Sequence, residues 1–214
     1  MLKGRTFSIL GDSYSTFKGF VPEGYAYHYP NPESVADVLS VQDTWWCKLV
    51  EQKGMRLLVN ESFSGATVCT HGREYLPASS SFVARAHNSF CGVNQQEPDY
   101  IFVFGGTNDS WLEREIGQVQ YGGWNEEDLK RVIPAFCYIL HQFAINYKKT
   151  KIVTVINTDL HPEIGKGILL LSAHYGAIAV ELHDIHKQDG HPSALGMSQI
   201  TEQICEALEK NGQE

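Results

Sequence analysis

Ser13 follows an apolar run that stops at Gly11-Asp12, and far along the chain His191 stands in the turn Asp189-Gly190-His191-Pro192. A hydroxyl and an imidazole together can carry out acyl transfer. The hydroxyl attacks a carbonyl once a base takes its proton, and imidazole suits that task because its pKa lies near neutrality. The same reaction needs donors aimed at the oxyanion that forms. Gly65, in Ser64-Gly65, offers a main-chain N–H, and Asn108, in Gly105-Gly106-Thr107-Asn108-Asp109, offers an amide. Singly, each residue has a plainer explanation: Asp12-Ser13 a turn or helix cap, Gly65 a turn glycine, Asn108 a loop-ordering amide, His191 a surface imidazole beside a proline. Their chemistry depends on meeting in space.

The elements between them allow that meeting. Phe7, Ile9 and Leu10 read as a strand buried on both faces, and similar short runs occur at 56–60, 100–104, 152–156 and 177–182. Helical spacing separates them: 44–54, 81–90, a long helix capped by Asn125 and running to about Tyr147 with a kink or break at Pro134, then 162–175 and 193–210. Strands alternating with helices imply a parallel sheet, because parallel neighbours need right-handed crossovers. The expected fold is a three-layer α/β/α sandwich of about five strands in the flavodoxin-like order 2-1-3-4-5, built as a single domain over residues 1–214. In such sheets ligands bind beyond the carboxyl ends of the strands. The first three strands end in polar turns carrying glycine or small residues, and these hold Ser13, Gly65 and Asn108; the Asp189–Pro192 turn can reach the same edge.

Those four stations, in this order, resemble the SGNH (GDSL-type) hydrolase family, named for its Ser, Gly, Asn and His. The first block reads Gly11-Asp12-Ser13-Tyr14-Ser15, where many members have Gly-Asp-Ser-Leu or Gly-Asp-Ser-Ile. The second matches through Asn60 and Ser64-Gly65, the third through Gly106-Thr107-Asn108-Asp109, and the last through His191-Pro192 ahead of the final helix. The resemblance implies that Ser13 is the nucleophile and His191 the base and then acid. It also implies an oxyanion hole of the Ser13 and Gly65 N–H groups with the Asn108 side chain. The sequence departs from the family at the acid. Members usually carry Asp-x-x-His, and that position is Gln188 here, with Asp189 two residues before His191 and Asp184 seven before. Either the Asp189 carboxylate reaches the ring through a modified turn, which is the preferred reading, or a backbone carbonyl substitutes and the pair works as a Ser-His dyad.

Composition narrows the partners. A net charge of −8 with scattered Lys and Arg argues against nucleic acid. With 43% hydrophobic residues and no long apolar stretch, a membrane span is not expected. The five cysteines (Cys47, Cys69, Cys91, Cys137, Cys205) lack a CxxC pair and read as reduced, mostly buried thiols. The first strand begins by about residue 6, leaving no room for a leader, so a cytoplasmic protein is expected. No cofactor is expected. His183 and His186 near Asp184, and His161 after Asp159, could suggest a metal, but surface helix histidines are the plainer reading and none is assigned.

Two loops rich in aromatics complete the picture. One spans 17–42, with Phe17, Phe20, Tyr25, Tyr27 and Tyr29; the other spans 111–124, with Trp111, Tyr121 and Trp124. Aromatic faces suit sugar rings, and equally they pack loops down. The leading expectation is a serine esterase removing a small acyl group, such as acetyl from a carbohydrate. A ligand-binding member of the fold without turnover is the alternative, and metal-dependent phosphoester hydrolysis a third.

Overall fold

The computed structural model describes residues 2–31, 35, 37–91 and 96–211. The apolar runs become five parallel strands, β1 (Thr6–Gly11), β2 (Arg56–Ser62), β3 (Tyr100–Phe104), β4 (Lys151–Ile156) and β5 (Ile178–Glu181). They form one sheet in the order β2-β1-β3-β4-β5. Every residue of the two innermost chemistry-bearing strands, β1 and β3, is buried, as their uninterrupted apolar character requires.

Strand alternation sends Phe7, Ile9, Phe102 and Phe104 to one face, where they pack with Trp45 and Leu49 of α1 (Trp45–Lys53) and with Met197 and Ile200 of the C-terminal helix. Leu10, Ile101 and Val103 pack on the other, against α2 (Phe82–Arg85, continued as a π-helical turn to Cys91) and two longer helices. A short helix, α3 (Thr107–Trp111), follows β3. The longer helices are α4 (Val132–Asn146) and α5 (Pro162–Tyr175); α6 (Ala194–Lys210) ends the fold. The result is the α/β/α sandwich expected from the sequence. A two-residue antiparallel ladder, β6 (Lys187–Gln188) with β7 (His191–Pro192), carries the histidine turn just before α6.

The long fourth helix starts later than its sequence suggests. Asn125 and Asp128 exchange hydrogen bonds, side chain to main chain in both directions at 3.0 Å, and close a separate 3₁₀ turn over Asp128–Lys130. The helix then begins at Val132, so Pro134 falls in its first turn and causes no kink, because N–H groups there have no intrahelical acceptor. The adjacent Val132 and Ile133 N–H groups donate instead to the carbonyls of Glu115 and Ile116.

The loop expected over 17–42 contains a 3₁₀ turn at Val41–Asp43; its residues 32–34 and 36 lie outside the described residues, as do Met1 and the side chain of Cys91. Cys47, Cys69, Cys137 and Cys205 are free and buried. Among the described residues no helix is long and apolar enough to cross a membrane.

Candidate active site

At the carboxyl end of β1 the chain must leave the sheet in very little room. A Cβ at Gly11 would lie 2.5 Å from Ser62 Oγ and 2.8 Å from Ser15 Cβ, so glycine is required there. Asp12 then caps a 3₁₀ turn, Ser13–Ser15, its Oδ1 accepting from Tyr14 N at 3.0 Å. Asn60 of β2 and Trp46 of α1 both donate to the Ser15 carbonyl, which fixes the turn against its neighbours.

Ser13 is buried, and its Oγ lies 3.1 Å from His191 Nε2. His191 Nδ1 lies 3.1 Å from the main-chain carbonyl of Asp189. A carbonyl only accepts, so Nδ1 carries the proton; Nε2 is then bare and faces the serine hydroxyl as an acceptor. This is the tautomer a general base needs. Burial holds the His191 pKa below its ordinary value, with the Asp189 carbonyl and charge opposing that shift.

Asp189 therefore meets the ring through its backbone and not through its carboxylate, which corrects the preferred expectation of a side-chain acid. The reason is the turn between β6 and β7. Asp189 and Gly190 both adopt left-handed conformations, at φ 51° and 75°, and the Asp189 side chain is exposed. Gln188, at the family's usual acid position, accepts from Asp37 N instead.

The His191 turn is tied to the other strand ends by one polar network. Tyr14 Oη donates to the Gly190 carbonyl at 2.6 Å and accepts from Asn157 Nδ2, which also donates to Thr107 Oγ1. Lys187 Nζ donates to Asn157, Thr158 and Asp159 at the end of β4.

Asn108, in α3, donates from Nδ2 to the Ala66 carbonyl at 3.0 Å and accepts at Oδ1 from Arg73 Nη2 at 3.3 Å. One partner only accepts and the other only donates, so the amide has one possible orientation, and one Nδ2 hydrogen remains for a ligand. The next residue, Asp109, is fully buried and accepts from Val68 N and Cys69 N, clamping the turn after β2 to the turn after β3. The structure thus joins Ser13 directly to His191, and Asn108 directly to the Gly65-Ala66 turn. Both pairs sit at the carboxyl ends of the adjacent strands β2, β1 and β3.

Residues 5–208 match the family model described as GDSL-like Lipase/Acylhydrolase. The chain belongs to the GDSL-like lipase/acylhydrolase family. Among solved structures it resembles a protein from Bacteroides uniformis described as a GDSL-like lipase, with 41% identity, a TM-score of 0.89 and coverage of 97% of this chain and 96% of that one. A similarly described protein from Bacteroides ovatus shares 40% identity at a TM-score of 0.89, over 97% and 99% of the two chains. At 15% identity and a TM-score of 0.62, an acetyl xylan esterase from the rumen bacterium Butyrivibrio proteoclasticus shares the fold, over 99% of this chain and 65% of that one. No curated protein matches.

Within this GDSL-like site several residues carried no sequence signal. Arg73 stands in a His-Gly-Arg run without periodicity, and His28 is one polar ring in an aromatic loop; Asn157 and Lys187 are isolated in the sequence. Only Tyr14 lies inside a recognisable block. The histidines weighed as metal ligands have other partners. His183 lies beside Asp184 on the surface, His186 contacts the α6 cap Ser193, and His161 caps α5. Among the described residues no group of three His, Cys, Asp or Glu is placed to hold a metal ion.

Proposed function

We propose that this GDSL-like hydrolase is a serine esterase that works through an acyl-enzyme, with Ser13 as nucleophile and His191 as base. The observation that carries this reading is the 3.1 Å approach of Ser13 Oγ to a His191 Nε2 left bare by the Nδ1–carbonyl contact. His191 takes the hydroxyl proton as Ser13 Oγ bonds to the ester carbonyl carbon. The oxyanion is received by the Ser13 and Gly65 N–H groups and the free Asn108 Nδ2 hydrogen. The tetrahedral adduct collapses, the C–O bond to the alcohol breaks, and His191 returns its proton to that oxygen. Water then repeats the sequence on the acyl-serine, losing its proton to His191 and releasing the acid. The Asp189 carbonyl supports the imidazolium formed in each half, as a dyad. Asp189 contributes its main chain to this machinery.

The substrate we assign is a small acyl ester, an O-acetyl group on a carbohydrate. Two features support this. The fold is shared with a protein named as an acetyl xylan esterase and with a carbohydrate esterase family 2 enzyme from Corynascus thermopiles. Trp111, 43% exposed, also sets its indole beside the catalytic turn, 5.7 Å from the His191 ring centroid, where an aromatic face suits a sugar ring. A binding protein without turnover is the second reading, favoured by the exposed Asp189 carboxylate. The deciding experiment is fluorophosphonate labelling together with hydrolysis of p-nitrophenyl acetate against longer-chain esters. Labelling and acetate turnover, both lost in Ser13→Ala, are expected. An unlabelled protein that binds glycans would overturn esterase action in favour of the second reading.

A further inference from the structure

The loop preceding α1 brings a second imidazole onto the first. His28 lies face to face with His191, ring centroids 3.6 Å apart and planes 10° from parallel. Its position is fixed from the nucleophile's side and from the base's side. The His28 N–H donates to Thr16 Oγ1 at 2.8 Å, and that hydroxyl donates to the Ser13 carbonyl at 2.9 Å. Tyr29, whose ring meets His28 edge-on at 4.6 Å, donates its hydroxyl to the Pro192 carbonyl at 2.7 Å, next to His191.

We propose that His28 is a positioning residue whose ring face fixes the plane of the His191 imidazole and keeps Nε2 aimed at Ser13, the task an orienting carboxylate would otherwise perform. The proposal rests on the esterase reading. A ring held at Nδ1 by a single carbonyl contact is free to swing about that contact; a parallel face at stacking distance removes the swing. Tyr14, with its ring centroid 5.4 Å from that of His191, and Trp111 confine the ring further.

The charge state of His28 suits the role. Its Nε2 is buried without a hydrogen-bond partner, so protonation would bury an N–H donor with no acceptor. Burial and, next, the neighbouring His191 push its pKa down to about 4. His28 therefore stays neutral while His191 cycles, and a neutral π face tolerates an imidazolium where a second cation would repel it. The other groups facing the pair are Asp189, which favours charge on both rings, Lys187, which opposes it on His191, and the rings of Tyr14 and Tyr29, whose hydroxyls are engaged by the Gly190 and Pro192 carbonyls.

The test compares wild type, His28→Ala and His28→Phe in p-nitrophenyl acetate kinetics and in ¹⁵N NMR of the His191 ring. His28→Ala is expected to lower kcat by about 10- to 100-fold with KM little changed, the scale of loss that misplacing a catalytic group produces. The acid limb of its pH–rate profile should move up as water reaches His191. His28→Phe, which keeps a flat neutral face, should recover most of the lost kcat. In wild type the ¹⁵N shifts should show a single tautomer protonated at Nδ1, and in His28→Ala a mixture.

A folded His28→Ala with wild-type kcat would overturn the proposal, as would a folded His28→Phe as slow as the alanine variant. Should the alanine variant fail to fold, the phenylalanine kinetics and the wild-type tautomer decide. A wild type inert to ester and fluorophosphonate alike defeats the esterase reading instead. In that case a His191 tautomer unchanged by His28→Ala still defeats the positioning role on its own.

Discussion

Arg73 and Asn108 form a unit whose two members should fail differently. Asn108 keeps one Nδ2 hydrogen that we assign to the oxyanion, and Arg73 holds the other end of the same amide through Oδ1. Removing the donor in Asn108→Ala is expected to lower kcat by about 10²- to 10³-fold, the typical loss for one oxyanion donor. Arg73→Gln should cost less, because it frees the amide without deleting it. Since Arg73 acts through Asn108, the double variant should be no slower than Asn108→Ala alone, a non-additivity that steady-state kinetics on p-nitrophenyl acetate reads directly. Additive losses would show that Arg73 meets the substrate independently. This pairing also marks the limit of what the site reveals in sequence. Ser13, Gly65, Asn108 and His191 stand in blocks whose glycines and small residues are forced by the turns that carry them. Arg73 and His28 reach the site through tertiary approach alone, from loops with no period and no fixed spacing. At Asp189 the carbonyl, and not the carboxylate, meets the His191 ring: a side-chain acid can be inferred from residue type, whereas a left-handed turn aiming a carbonyl can be seen only in the backbone.

At the scale of elements, Asp109 decides whether two turns stay joined. Its buried carboxylate accepts from the N–H groups of Val68 and Cys69, beyond the end of β2, while its own chain begins α3 beyond β3. Asp109→Ala leaves two buried donors without acceptors, a loss of about 3 kcal/mol. For a chain of this size that corresponds to a Tm decrease of roughly 6–12 °C in thermal melts. The turn bearing Gly65 should loosen with it, lowering kcat more than KM changes; Asp109→Asn, which keeps one acceptor oxygen, should recover part of both. The elements that such clamps join were largely readable beforehand. Each strand is an apolar run stopped by a polar turn, and the right-handed crossover rule then leaves few strand orders. The start of α4 was hidden because Asn125 with three acidic residues after it has the composition of a helix cap. The constraint that prevails is Pro134, which fits a first turn far better than a helix interior. The helix α3 was hidden for a simpler reason, since five residues are too few to show a period.

Across the whole molecule, the groups buried around the site oppose one another as pH falls. His28 has a folded pKa of about 4 against 6.5 for the free side chain, so between those values the unfolded chain binds more protons and stability drops as the solution is acidified. His191, lowered in the same direction, adds to that loss. Asp12 behaves inversely. Burial raises its pKa from 3.8 to about 7, so in that window the folded chain binds more protons and its contribution grows as pH falls. In the wild type the two trends partly cancel between pH 7 and 4. Single substitutions should separate them. His28→Phe removes one acid-side loss, so urea midpoints at pH 7 and pH 5 should lie closer together or reverse order relative to wild type. Asp12→Asn retains the acceptor for Tyr14 N but abolishes the compensating gain, so its stability should fall more steeply with acid than that of the wild type. Tryptophan fluorescence during urea unfolding at the two pH values measures both. Parallel pH dependence in all three proteins would mean that these buried groups titrate alike in the folded and unfolded chains, contrary to the burial that isolates them from water.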